Sequence, residues 1–221
     1  MSFQRARTEE QREIRRRAIL DAASAMLDEM PVADVTLNEL SRRAGLAKPN
    51  VLRYFESREA VLLELLDRFL REWLVELEGE LAAGVGDDLP MPERATAVAG
   101  ILSRSLASRT VLCDLFGAQG SVLERNVSVE VVTRYKRASL QRLETLTALV
   151  RKHLPELGEN ATLFSLQAMV LAGALSPYDT PPPSLRAAYQ AEPELARFHP
   201  RLRDALDLAL TATLLGVLPR P

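Results

Sequence analysis

The sequence predicts an all-α fold: a small N-terminal bundle of three helices followed by a larger helical domain. Three observations predict it. Leu, Ala, Glu and Arg dominate the 221 residues, while aromatics are only 5%, a composition of good helix formers. Apolar side chains recur at three- and four-residue spacing along most of the chain, the period of an amphipathic helix. Start and stop signals punctuate that pattern, namely Thr36 with Glu39, Gly45, Ser57, and Pro155 with Gly158. The expected division is 1–56 for the small bundle and 57–221 for the larger domain.

The first ten residues are polar and alternately charged and read as a disordered arm. From Gln11 to Glu29, Ile19, Ala22, Ala23, Met26 and Leu27 make one apolar helical face, which Met30-Pro31 ends. Thr36 and Glu39 have the spacing of a capping box, so a helix should start at Leu37 and run to about Ala44. Gly45 is placed to end it in a left-handed conformation. A second short helix is expected over Lys48–Tyr54, with Pro49 in its first turn. Leu37, Leu40, Leu46, Val51 and Phe55 are the expected core of the bundle.

Ser57 is a suitable N-cap for a long helix reaching about Ala82, with an inner stripe of Leu62, Leu65, Leu66, Phe69, Trp73, Leu77 and Leu81. That length exceeds the needs of the small bundle, so the helix should connect the two domains. After a Gly84–Pro90 loop, a helix over about Pro92–Ser108 leads to a short segment near Val111–Phe116, broken at Gly117 and Gly120. Ser121 with Glu124, Asn126 or Ser128 can each start the next helix, which runs to His153. A cationic imidazole there would complement the helix dipole. The last two helices, about Asn160–Leu175 and Leu202–Val217, are apolar nearly all the way round. Such helices must be buried on every side, so these two are expected to pack against a second subunit. The proline-rich stretch between them, Pro177 to Pro200, reads as a loop.

Composition narrows the function. The net charge of −2 hides a local bias: cationic side chains concentrate at Arg12–Arg17 and Arg42–Arg58. Between 42 and 58, Arg42, Arg43, Lys48, Arg53 and Arg58 face one acid, Glu56. A small basic face on a neutral or acidic body is what local phosphate contact requires. Cys113 stands alone, and no signal-peptide pattern opens the chain, which points to a reducing, cytoplasmic setting. No apolar run approaches a membrane span, because Asp207 interrupts the best candidate, so no membrane partner is expected. Two histidines, one cysteine and the lack of HExxH, GxSxG, GxxxxGK or GxGxxG patterns argue against an enzyme, a metal site or a cofactor.

Two short helices crossing at a glycine turn, the second rich in cationic and polar side chains, describe a helix-turn-helix reader of double-stranded DNA. The stretches T-L-x-E-L-S-x-R-A-G-L from Thr36, K-P-N-V-L-R-Y-F from Lys48 and E-S-R-E-A-V from Glu56 resemble the TetR (tetracycline-repressor-like) family of bacterial transcriptional regulators. Leu52 stands where the family usually has an aromatic, and Ala47 where a small hydroxyl residue usually caps the second helix.

Lys48, Pro49 and Asn50 form the exposed start of the reading helix, with Asn50 suited to adenine and Arg53 to a guanine edge or a phosphate. Thr36, Arg43, Tyr54 and Arg58 are better placed for backbone phosphates.

The resemblance implies a ligand-responsive homodimer that binds a palindromic or pseudo-palindromic operator and usually represses transcription. It also implies a small-molecule effector enclosed by the long helix and those after it, with Phe69, Trp73, Phe116, Tyr135, Phe164 and Gln167 as candidate lining groups. The rival reading is a helical protein-interaction module whose N-terminal bundle binds a protein. Its duplex binding would be weak and insensitive to salt, where phosphate contacts impose a steep slope.

Overall fold

The computed structural model describes residues 2–86, 88–179 and 181–219. Among these residues the chain forms ten α-helices: α1 (Ser2–Leu27), α2 (Leu37–Arg43), α3 (Lys48–Val51), α4 (Arg58–Gly84), α5 (Met91–Ala107), α6 (Thr110–Gln119), α7 (Val129–His153), α8 (Asn160–Asp179), α9 (Pro183–Ala191) and α10 (Leu202–Val217). Short 3-10 turns join several of them, and no strand occurs among the described residues. The helices gather into two compact units, Met1–Arg68 with Ala118–Arg137, and Phe69–Gly117 with Ala138–Pro221. Helices α4 and α7 contribute residues to both.

In the first unit α1 packs on α2 and α2 on α3. Ile19, Ala23, Met26, Val35, Leu40, Val51, Phe55, Leu62 and Leu66 are buried. Leu37 and Leu46, expected in the core, are only half-buried. Ser57 caps α4 by accepting the Ala60 N–H at 3.1 Å. Of the three candidate starts for α7, Ser128 is the one used: its Oγ accepts the Val131 N–H at 3.2 Å, and its own N–H donates to the Glu56 carboxylate at 2.5 Å.

Helix α1 begins at Ser2, so the expected arm is helical from there on, while Met1 lies outside the described residues. The reason is legible in RARTEEQREIRRR, where Arg, Glu and Gln favour helix and opposite charges fall four apart. Arg17 pairs with Glu13 at 3.4 Å in that register.

The second unit is built on Leu70, Trp73, Leu77 and Leu81 of α4, Val98, Leu102 and Leu106 of α5, Phe164, Ala168 and Ala172 of α8, and Leu206, Leu210 and Leu214 of α10, all buried. Helix α10 packs against α5 and α8. The buried Trp73 indole donates to Ser105 Oγ at 3.1 Å, which satisfies a polar group that burial would otherwise penalise. Arg94 clamps the end of α7, donating to the His153 carbonyl at 2.6 Å and pairing with Glu156.

Two sequence expectations fail in this unit. Gly117 does not break the chain but lies inside α6, where it meets Gly173 of α8 backbone to backbone. A Cβ on Gly173 would lie 2.6 Å from the Gly117 nitrogen, and one on Gly117 would lie 2.8 Å from the Gly173 carbonyl oxygen. Pro177, four residues on and inside α8, has no N–H to offer that carbonyl. The proline-rich stretch is not a plain loop either. It holds α9 and a 3-10 segment over Pro193–Phe198, because Pro183 supplies a helix-ready first turn and SLRAAYQA follows it. A third expectation also changes, since α8 is long and apolar enough to cross a membrane by length and composition. It is part-buried and packs against α10, and core helices of bundles pass the same test.

Replacing Gly173 by Ala should destabilise the protein by about 1–3 kcal/mol, because the added Cβ would meet the Gly117 nitrogen, the Phe116 carbonyl carbon and the Phe116 Cβ, none of which can rotate away. Gly79→Ala, in an exposed turn of α4 with open space around it, should instead stabilise by about 0.5–1 kcal/mol. Urea unfolding of the two variants beside the parent checks both signs.

Candidate nucleic-acid interface

The site is assembled from three local signals. Thr36, in extended backbone at φ −109°, accepts the Glu39 N–H on its Oγ1 at 3.2 Å and starts α2. Gly45 adopts φ +64° and closes the helix, with the Leu46 N–H reaching back to the Ser41 carbonyl at 3.0 Å. This is the bond pattern that a left-handed glycine permits after a helix. Helix α3 then opens at Lys48-Pro49 without a side-chain cap, as Ala47 dictates. It is shorter than expected, ending at Val51, although turns bonded from Leu52 to the Lys48 carbonyl and from Phe55 to the Val51 carbonyl carry the coil onward.

Lys48, Pro49, Asn50 and Arg53 are exposed on this element, and Tyr54 is half-buried. Lys48 and Arg53 have no ion pair among the described residues. Arg43 and Arg58 are placed differently. Arg43 donates to Glu29 at 2.8 Å and to Glu39 at 2.9 Å, and Arg42 also pairs with Glu39 at 2.6 Å. Arg58 pairs with Glu59 at 2.9 Å and donates to the Val35 carbonyl, closing the segment before α2 against the start of α4.

The two guanidiniums on Glu39 hold its carboxyl down to about 2, and Arg43 lowers Glu29 as well.

The sequence gives little notice of Arg16, which joins three elements. It donates to the Tyr54 carbonyl at 2.9 Å, pairs with Glu64, and lies 4.4 Å above the Phe55 ring. Beside it, Gln11, Arg12, Ile14 and Arg15 of α1 line an open groove with Arg53 and Tyr54.

The candidate effector residues fall in both units. Trp73 and Phe164 are buried in the second unit, where Phe69 and Phe116 are half-buried. Gln167 is bonded through its amide to Thr213 Oγ1 at 3.2 Å, tying α8 to α10. Tyr135 is buried in the first unit. Cys113 is buried, and that burial, with Asp114 beside it, pushes its thiol up to about 12. Such a thiol is neutral at ordinary pH and is no nucleophile. Among the described residues no group of His, Cys, Asp or Glu side chains is arranged to hold a metal ion.

A capped helix, a left-handed glycine and a second helix with an exposed cationic start define a helix-turn-helix protein of the DNA-binding class. Residues 19–65 match the model for bacterial regulatory proteins of the tetR family, and 67–221 match the tetracyclin repressor-like C-terminal domain. The chain therefore belongs to the TetR family, a family of transcriptional regulators.

Over 55 residues it is 44% identical to the HTH-type transcriptional regulator EthR of Mycobacterium tuberculosis (strain CDC 1551 / Oshkosh), covering 25% of this chain and 26% of that relative. The chain thus matches about a quarter of the length of its curated relatives. Among solved structures, the fatty acid degradation regulator FadR of Bacillus halodurans superposes with a TM-score of 0.53 at 14% identity, over 94% of this chain and 97% of that one. FadR of Bacillus subtilis, determined in complex with stearoyl-CoA, gives 0.53 at 14% identity over 91% and 98%. At that identity these structures speak to the fold alone.

The depressed Glu39 carboxyl contributes stability above the ordinary value of 4.5, and that stability is lost as pH falls through about 2. The Glu39→Gln variant should therefore lose stability less steeply than the parent over that window. Urea midpoints measured at a series of acid pH values read the difference.

Proposed function

We propose that this chain is a homodimeric transcriptional repressor that reads a palindromic or pseudo-palindromic operator and responds to a small-molecule effector in the cytoplasm. The observation that carries the reading is the exposed, cationic start of α3, held on a capped and glycine-turned helix-turn-helix. Residues 1–56 supply the DNA reader and 57–221 the regulatory and dimerising part. Lys48, Pro49 and Asn50 approach base edges, and Arg53 a guanine edge or a phosphate. Thr36 and Tyr54 lie beside the backbone. Arg43 and Arg58 contact phosphate only by sharing or exchanging their present carboxylate partners.

The dimer reading rests on the outer faces of α8 and α10. Leu163, Leu166 and Val170 on α8 and Leu208 and Leu215 on α10 are exposed, Leu208 to 74%. An apolar surface of that kind on two adjoining helices fits a second copy of the chain. The effector site is assigned to the second unit, with Phe69, Trp73, Phe116, Phe164 and Gln167 as candidates, while Tyr135, the remaining candidate, belongs to the first unit. Helix α4 has residues in both units, so an effector that displaces it would alter the spacing of the two reading helices. Such coupling is typically ~1–3 kcal/mol.

Two measurements test this. Asn50→Ala should reduce discrimination between a selected operator and random duplex by about 1–3 kcal/mol, whereas equal loss on both duplexes would remove Asn50 from base reading. Sedimentation at micromolar concentration should show a dimer for the parent and a monomer for Leu208→Glu, and a monomeric parent would end the dimer reading.

A further inference from the structure

The cations near the reading helix divide into two sets. Arg16, Arg17, Arg42, Arg43 and Arg58 are committed to carboxylates within the chain. Arg12, Arg15, Lys48 and Arg53 have no ion pair among the described residues. Three of this second set, Arg12, Arg15 and Arg53, line one open groove, together with Gln11, Ile14 and Tyr54. Gln11, Ile14 and Arg15 lie three and four residues apart, so they share one face of α1. Arg53 reaches the groove from the end of the reading element.

Three guanidiniums beside one groove repel one another unless an anion sits between them. Of the acids on α1 near these arginines, Glu13 is taken by Arg17, and Glu9 and Glu10 form no ion pair with Arg12 or Arg15 among the described residues; Glu56 accepts the Ser128 N–H. Arg16, between the unpaired pair and Arg17, bonds the Tyr54 carbonyl and stacks on Phe55, which fixes the register of α1 against this element. The groove is therefore a held cationic surface to which the reading element contributes Arg53 and Tyr54. Guanidinium forks match phosphate oxygens in a bidentate manner, and a duplex presents phosphates in regular succession beside any base being read.

We propose that Arg12 and Arg15 of α1, with Arg53, form a clamp for the phosphodiester backbone of duplex DNA, outside the helix-turn-helix itself. The clamp rests on the DNA-binding reading given above and deepens it. It takes the phosphate-holding role that Arg43 and Arg58 cannot fill while their carboxylates hold them.

The test uses the full chain and a duplex selected from a random pool by the purified parent, with affinity measured by fluorescence anisotropy from 50 to 300 mM KCl. The double variant R12A/R15A should bind operator and random duplex more weakly by the same factor. Its log–log salt slope should fall by roughly 0.9 for each phosphate contact removed, about 2 per protomer. R12K/R15K should restore most of the slope, because charge survives where the fork does not. Both arginines are exposed, so circular dichroism should show parent-like helicity in each variant.

An unchanged slope in R12A/R15A overturns the clamp while leaving the DNA reading intact. Loss of operator preference without loss of slope also overturns it, since the two residues would then read bases. If duplex binding is unchanged but retention on phosphatidylglycerol vesicles is lost, the groove serves a lipid surface and the proposal falls. A parent chain that binds no duplex removes the DNA reading and the clamp together.

Discussion

A single guanidinium ties the end of the reading element to α1 and α4. Arg16 sits where α1 meets the end of α3, and it satisfies the Tyr54 carbonyl, the Phe55 ring and the Glu64 carboxylate at once. Helix α3 has only four residues, and so short a helix has little stability of its own, because nucleation is not repaid over one turn. It persists because Val51 and Phe55 are buried beneath it and because Arg16 bonds its trailing turn. A side chain at 23% exposure keeps much of the strength of a charge-assisted bond without the full penalty of burying a charge. The exposed residues on either side of that anchor are then free to meet a partner without being needed for the fold.

Electrostatics around this element works by subtraction. The sequence shows a stretch rich in cations, yet several of those cations are neutralised by acids distant in the chain, Glu29 to Arg43 and Glu64 to Arg16. What remains uncompensated is a narrower set, displaced toward α1. A count of charges along the sequence overstates the basic face and misplaces its centre.

What could be read from the sequence follows from the range of the forces involved. The Thr36 cap, the left-handed Gly45 and the Ser57 cap are each decided within four residues, and each was legible. The apolar outer faces of α8 and α10 were legible too, because composition alone exposes a helix with no polar side. The Arg43–Glu29 pair and the bond from Arg58 to the Val35 carbonyl were not, since they depend on which groups the fold brings near. Gly117 was misread as a breaker for the same reason: a glycine kept for close helix contact carries the same letter as one kept for a turn. Leu37 and Leu46 fit the periodicity but lie at the rim of the bundle, a position the period does not encode.

The crossing of α6 and α8 has a consequence for how the sequence can drift. At most packed positions a lineage can exchange one side chain for another of similar volume, and neighbours absorb the difference by changing rotamer. Gly117 and Gly173 present backbone to backbone, so no intermediate size exists between the present residue and a collision. Neither can a change at one be offset by a smaller partner at the other, because the partner is already the smallest residue there is. The pair is thus an all-or-none locus, with helix spacing fixed here while the residues around it remain open to gradual substitution.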